Sequence, residues 1–340
     1  MSKISEFIEQ LKEEYGEEVI VTTESQANNG IIPTGSLSLD ISLGIGGIPR
    51  GRFTEIYGPE SSGKTTLCLS IVKEATKLGI GTLYIDVERA LDFRYIEAVV
   101  GKIDAEMFVL ASPETAEDAF STAENGIDSG AFGLIVIDSL GAMSPKKELE
   151  DDLTDANVAL LPRLLTKWLR RNSFKVKNNN IAFVFVNQVR DNIGSYMSSY
   201  VTPGGNALKH FLSIKVKFTK GQKITKGSGK DKEVLGILTN FSVQKNKLAP
   251  PFRGATIPIV FGEGVDYLHD VIEFAKRLGV IRSAGSHYKF GEETLGNGMA
   301  NAKQYLSTTP NTLDKIVEMC YNVLDKSGKG EVDLDEWNET

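Results

Sequence analysis

Residues 58–65 read Gly58-Pro59-Glu60-Ser61-Ser62-Gly63-Lys64-Thr65 and fit the pattern G-x-x-x-x-G-K-[ST]. Glycines at these positions let successive backbone N–H groups turn inward around phosphate oxygens. The N-terminus of a helix starting at Lys64 adds partial positive charge at the same point. Lys64 would reach the β- and γ-phosphates of a nucleotide, and the Thr65 hydroxyl would ligate Mg2+. Three more polar residues end apolar runs. Asp138 closes Leu134-Ile135-Val136-Ile137 and would hold the same metal through a water. An Asp in that place serves equally to cap a following helix. Glu88 follows Leu83-Tyr84-Ile85-Asp86-Val87 and would orient and deprotonate a water aimed at the γ-phosphate. A solvated acid at a strand end accounts for it equally well. Gln188 follows Phe185-Val186-Asn187, and its amide can donate to a phosphate and accept from a water. It can also do no more than satisfy backbone groups.

These residues need a frame that brings strand ends together. From residue 52 the chain alternates short apolar runs with helical patterns. Strands are expected at 52–57, 82–87, 133–137 and 181–186, with helices at 64–77, 115–129 and 155–177. Such alternation implies parallel βαβ units with helices on both faces. From 212 onward a meander of strands is expected at 212–219, 234–244 and 255–261. The five lysines and three glycines of 220–232 suggest a mobile connection between the first two. Residues 265–324 are more helical and read as a small module. Ahead of the core, Ile4, Phe7, Ile8, Leu11 and Tyr15 form one apolar stripe on a helix over 3–15. A single short helix cannot bury its own stripe, so it must dock elsewhere. Residues 17–51, rich in Gly, Ser, Thr and Asn, read as an extended linker with turns.

Composition excludes several classes. The chain has 340 residues, 41% apolar and 24% charged, as in an ordinary soluble protein. There is no apolar run long enough for a membrane span and no apolar signal core after Met1. Two cysteines are too few for a disulfide framework, which points to the reducing cytosol and a cytoplasmic protein. Net charge is −7, but residues 1–18 and 325–340 each carry −4, leaving +1 for 19–324. A core this neutral binds a polyanion only through local basic clusters. One such cluster is Arg163, Lys167, Arg170 and Arg171, at i, i+4, i+7 and i+8 on the helix expected at 155–177. A solvated helix face is the alternative.

With these motifs in place the chain resembles the RecA-type recombinases. The resemblance is carried by GPESSGKTT at 58–66, YIDVERALD at 84–92, VIDS at 136–139, NQVR at 187–190, GGNALK at 204–209 and KNK at 245–247. TGSLSLD at 34–40 and FGEGV at 261–265 also match. It runs in order from about residue 10 to residue 320. It implies a mostly parallel α/β core flanked by helices, an N-terminal polymerisation helix and a small C-terminal domain. The expected segments are 1–32 for subunit packing, 33–262 for the ATPase core, 263–324 for duplex capture and 325–340 as an acidic tail.

The resemblance further implies ATP and Mg2+ as cofactors. Residues 58–65 with Thr66, Asp92, Tyr95 and Asp138 would bind the nucleotide, Asp92 and Tyr95 at the adenine. Glu88 would activate water and Gln188 would sense the γ-phosphate. Lys245 and Lys247 would reach the ATP of the adjacent subunit and stabilise transition-state charge there. DNA contacts are implied for Val158, Arg163, Thr166, Arg170, Arg190, Ile193, Gly204, Gly205 and Asn206, in two loops at about 150–160 and 191–206. Tyr196 and Tyr200 lie in the second loop and would stack on bases. Arg277, Arg282, Lys289 and Lys303 would capture duplex.

Implied partners are single-stranded DNA, homologous double-stranded DNA and further copies of this chain in a helical filament, with no membrane. Recombination mediators and an SOS-type repressor are also implied. The implied function is ATP-dependent homologous pairing and strand exchange. A ring-forming ATPase motor and a nucleotide-switched regulator without DNA are the rival readings. The KNK and GGNALK motifs weigh against the first, and the basic helix would stand idle in the second. Finally, residues 325–336 place oxygen ligands at calcium-loop positions 1, 3, 9 and 12, but Lys329 occupies position 5, which counts against calcium.

Overall fold

The computed structural model describes residues 2–16, 30–152, 159–189, 205–226, 233–251 and 253–326. Helix α1 spans Lys3–Tyr15, capped by the Ser2 hydroxyl accepting from Ser5 N and closed by Gly16. None of its residues is buried, and Ile4, Phe7 and Tyr15 are more than half exposed. Among the described residues the apolar stripe read from the sequence is therefore largely exposed, with Ile8 and Leu11 half-buried.

The segment read as linker is partly helical. After β1 (Ile31–Ile32), helix α2 spans Leu37–Leu43, and every residue in it is buried. Ser36 caps it, and Gly44 ends it with φ 72°, the left-handed backbone that glycine adopts freely. Burial on all sides removes the apolar stripe by which a helix is recognised. A short β2 (Ile48–Pro49) pairs with β1.

The core elements follow in order: β3 (Arg52–Gly58), α3 (Lys64–Lys77), β4 (Thr82–Asp86), α4 (Phe93–Val100), β5 (Phe108–Ala111), α5 (Ala116–Ser129) and β6 (Leu134–Asp138). Then come α6 (Lys146–Glu150), α7 (Leu160–Asn178), β7 (Ala182–Gln188), α8 (Gly205–Phe211), β8 (Leu212–Lys226), β9 (Glu233–Asn246), β10 (Gly254–Val260) and β11 (Gly264–Val265). Nine strands form one sheet in the order β11-β10-β9-β8-β3-β7-β6-β4-β5. The strands from β8 to β5 run parallel, and β9, β10 and β11 add antiparallel pairings.

Alternation along the strands assigns the two faces. Tyr84, Val136, Val184 and Val186 join one core with α3, while Leu83, Ile85, Ile135, Phe183 and Phe185 join the other with α5 and α7. On that second face Trp168 stacks on Phe120 and donates its indole N–H to the Phe120 carbonyl at 2.9 Å. The mobile connection expected from 220 does not begin there. β8 continues to Lys226, paired with β9 through register shifts that absorb its glycine. Residues 227–232 lie outside the described residues.

The C-terminal module holds α9 (Tyr267–Arg277), a three-stranded sheet of β12 (Arg282–Ala284), β13 (His287–Phe290) and β14 (Glu293–Asn297), and helices α10 (Met299–Thr308) and α11 (Pro310–Lys326). It is anchored to α2 through Asp270 of α9. The Asp270 Oδ2 accepts from the Ser36 hydroxyl at 2.9 Å and from Ser38 N at 3.0 Å. Cys68 and Cys320 are free and buried. Among the described residues no helix is long and apolar enough to cross a membrane.

Candidate functional site

Strand register brings the predicted residues to one edge of the sheet. Gly58 pairs with Gln188, and Asp86 with Asp138, so the carboxyl ends of β3, β7, β4 and β6 meet beside the start of α3. The loop between β3 and α3 needs both its glycines. A Cβ on Gly58 would lie 2.3 Å from the Phe218 carbonyl oxygen, and one on Gly63, at φ 85°, 2.3 Å from the Ile259 side chain. The loop is tied from within by the Ser62 hydroxyl donating to the Pro59 carbonyl at 2.8 Å. It is tied from the sheet by the Thr239 hydroxyl donating to the Ser62 carbonyl at 3.1 Å. Glu60 and Ser61 are exposed at its tip.

Lys64 is buried, and its ammonium donates to the carbonyls of Gly58 at 3.1 Å and Pro59 at 2.7 Å. Burial lowers its pKa, against the pull of Asp138 and Glu88. Asp138 Oδ2 accepts from the Thr65 hydroxyl at 2.8 Å and from the Tyr84 hydroxyl at 2.7 Å. Burial pushes this carboxyl up to about 6. The two hydrogen bonds oppose that rise, and Glu88 and Asp86 add to it. A buried carboxylate with a threonine hydroxyl and a further acid nearby is a hard-oxygen donor set that favours a divalent cation such as Mg2+.

Glu88 and Gln188, a hundred residues apart, are in contact. Glu88 Oε1 accepts from Gln188 Nε2 at 2.7 Å and from the Ser139 hydroxyl at 2.5 Å. Glu88 stays exposed, as a solvated strand-end acid would, but its carboxylate is held by these two donors. Tyr95 of α4 reaches the start of α3, its hydroxyl 2.6 Å from that of Thr66. Asp92 is exposed and caps α4, accepting from Arg94 N at 2.7 Å and from its guanidinium at 2.9 Å. These bonds hold its carboxyl below the usual range. Sequence reasoning assigned no role to Tyr84, Ser139 or Thr239. Only Tyr84 carried a signal, as a hydroxyl within a buried strand that must find a partner.

Lys245 and Lys247 lie elsewhere. Thr239 touches the phosphate loop, and Lys245 is six residues further along β9. At the rise of an extended strand this is about 20 Å away. Lys245 pairs in register with Lys215 near the start of β8, which in turn lies opposite Glu55 in the middle of β3. The Lys245 ammonium donates to the Lys209 carbonyl, and that of Lys247 to the His210 carbonyl at 3.0 Å. Both carbonyls belong to the last turn of α8, where unpaired helix carbonyls attract cations.

The basic stripe is partly retained. Arg163, Lys167 and Arg170 are exposed on α7, but Arg171 pairs with Glu124 of α5 at 2.8 Å. The Thr166 hydroxyl donates to the Pro162 carbonyl at 2.6 Å. In the C-terminal module Arg282 and Lys289 are exposed register partners, whereas Lys303 is ion-paired with Asp266. Gly205 and Asn206 begin α8. Val158, Arg190, Ile193, Tyr196, Tyr200 and Gly204 lie outside the described residues, as do the acidic tail beyond Lys326 and almost all of the calcium-like segment.

Comparison with known proteins decides the family. The model of the RecA N-terminal domain matches residues 2–266, and that of the RecA C-terminal domain matches 269–328. The chain belongs to the RecA family. Among its RecA relatives, the protein of Thermus aquaticus is 44% identical over 288 residues, covering 84% of this chain and 83% of that one. The RecA of Acholeplasma laidlawii is 39% identical over 312 residues, covering 91% and 92%. That of Listeria monocytogenes is 36% identical over 340 residues, covering 99% and 96%. The crystal structure of the RadB recombinase shares the fold. Its TM-score is 0.52 and its identity 22%, over 69% of this chain and 98% of that one. The chain is thus a RecA-family recombinase, built on the phosphate-loop ATPase core of that family.

Proposed function

We propose that this chain assembles head to tail on single-stranded DNA as a helical filament, binds ATP at each subunit seam, and couples DNA-stimulated hydrolysis to homologous pairing and strand exchange. The observation that carries this reading is the placement of Lys245 and Lys247. Lys245 lies about 20 Å along β9 from Thr239, the residue that touches the phosphate loop, and both ammoniums are held by carbonyls of α8 and not by their own loop. One copy thus presents a phosphate loop and, apart from it, two cations. A second copy stacked on the first would bring the two together. The largely exposed apolar stripe of α1 is a further surface that the described residues leave open.

At that seam the loop N–H groups and Lys64 would hold the β- and γ-phosphates. Thr65, and Asp138 through a water, would hold Mg2+, which supplies neutralising charge on the phosphate oxygens. Tyr95 would border the adenine, with Asp92 at the end of the same turn. Glu88 would take the proton of the attacking water, with Ser139 and Gln188 fixing its carboxylate. Gln188 would exchange its bond to Glu88 for one to the γ-phosphate and so report nucleotide state to the segment that follows it. Arg163 and Arg170 would contact the phosphates of the single strand, and Arg282 and Lys289 those of duplex.

ATPase rates with and without single-stranded DNA, read beside electron microscopy of the products, test the proposal. The expected result is hydrolysis stimulated by single strands, with open helical filaments. Closed hexameric rings, or hydrolysis indifferent to DNA, would overturn it.

A further inference from the structure

Glu55 sits in the middle of the nine-stranded sheet, on β3, with no exposed surface. A carboxylate there is costly unless paired, and an apolar residue would serve the core better. Glu55 is paired on both sides. Its Oε1 accepts from Asn187 Nδ2 on β7 at 2.9 Å, and its Oε2 lies 2.8 Å from Lys215 Nζ on β8. The Lys215 ammonium is also 4.2 Å from the centre of the Tyr57 ring.

Each end of this group leads to one half of the proposed seam. Toward the phosphate loop, the Asn187 Oδ1 accepts from Gln188 N at 3.0 Å, and Gln188 Nε2 donates to Glu88 at 2.7 Å. On the other side, Lys215 is the register partner of Lys245, close enough for side chains to interact directly. Burial, then the charges of Lys247 and Lys215, lower the Lys245 pKa. Polar contacts thus run from Glu88 through Gln188, Asn187 and Glu55 to Lys215, and the like charge of Lys215 then acts on its register neighbour Lys245.

We propose that Glu55 is a positioning residue that couples the chain's own triphosphate site to the two lysines it presents to the next subunit. When Gln188 leaves Glu88 for a γ-phosphate, the Asn187–Gln188 peptide shifts and Asn187 changes its hold on Glu55. The balance of Glu55 between Asn187 and Lys215 sets how much unneutralised charge faces Lys245. That charge decides whether Lys245 rests on the Lys209 carbonyl or extends away from it. Successive ATP sites would then be linked in free energy through the interior of each subunit. This inference rests on the reading of Lys245 and Lys247 as cations for a neighbour's phosphates.

The test is the Hill coefficient for ATP in DNA-stimulated hydrolysis by the full chain. Glu55→Gln keeps the shape of the side chain and its acceptor toward Asn187 but removes the charge. We expect the coefficient to fall to about 1, with ATP affinity of the dispersed protein within about twofold of wild type. Glu55→Leu with Lys215→Met replaces the pair by apolar groups of similar volume, a change that buried pairs tolerate. It should lose cooperativity in the same way and covers the case in which Glu55→Gln does not fold. A folded variant of either kind with wild-type cooperativity, or a wild-type coefficient of one, would overturn the inference. Lys245→Ala separates the two layers. Unchanged filament hydrolysis in that variant removes the reading of the lysines. Abolished hydrolysis there, beside intact cooperativity in the Glu55 variants, removes only the role of Glu55.

Discussion

Replacing Asp270 by Asn should change how the stability of this protein depends on pH. Asp270 is fully buried where α9 meets α2, and burial pushes its carboxyl up to about 6 from an ordinary 3.8, against hydrogen bonds from Ser38 and Ser36. Its Oδ1 has no hydrogen-bond partner among the described residues. Asp40 of α2 is buried beside it, accepting from Thr34 N at 2.9 Å. The Asp40 pKa is also raised, by burial first and by the charges of Asp270 and Glu74 in part. Tyr267, Cys320 and Tyr321 also lie around this joint, and burial raises their pKa values too.

Below about pH 4 both folded and unfolded chains hold the Asp270 proton, and the group is neutral for stability. Between about pH 4 and 6 the unfolded chain releases it while the folded chain keeps it. The folded state then binds more protons, so stability falls as pH rises through that window. Above about 6 the full cost is in place. A shift of about two units corresponds to roughly 3 kcal/mol. Asp270→Asn cannot ionise, and its amide oxygen can still accept from Ser36 and Ser38. The stability of the variant relative to wild type should therefore rise by roughly 3 kcal/mol between pH 4 and pH 7. Urea unfolding of both proteins across that range, with the slope checked for constancy, reads this directly. A relative stability that does not move with pH would refute the reasoning.

Two further outcomes concern the site and the basic helix. Glu88→Gln should bind ATP normally and hydrolyse it at least about a hundredfold more slowly, because binding survives while proton transfer fails; turnover near wild type would take Glu88 out of its role. Arg170→Ala should weaken single-strand binding alike for all sequences and reduce the slope of log affinity against log salt by about 0.7. An unchanged slope would return Arg170 to a solvated face.

Elements with a one-sided pattern were legible in the sequence. The stripe of α1 and the span of α3 were read to their observed ends, because each carries local signals: apolar spacing, a Gly-Lys-Thr start, a closing glycine. The helix α2 was missed because it is buried all round and shows no stripe. Helix α4 escaped for another reason. It is short, and Asp92, its cap, lies within the YIDVERALD motif, which points to the nucleotide and not to a helix start. The β8 extension past 219 is not legible, since lysines and glycines look alike in a solvated turn and in a hairpin that tolerates register shifts.

The sequence by itself determined which groups could handle a triphosphate, since loop glycines, a lysine and strand-end acids are a matter of residue type and local spacing. The tertiary structure decided which of them meet. Strand order set Gln188 against Glu88 and set Lys245 on the last turn of α8, apart from its own phosphate loop. It also enclosed Glu55 between Asn187 and Lys215, a charge that reads in sequence as one polar residue in an ordinary strand. Pairings between strands distant along the chain depend on how the apolar faces of the whole sheet are buried, and no short stretch of residues contains that information.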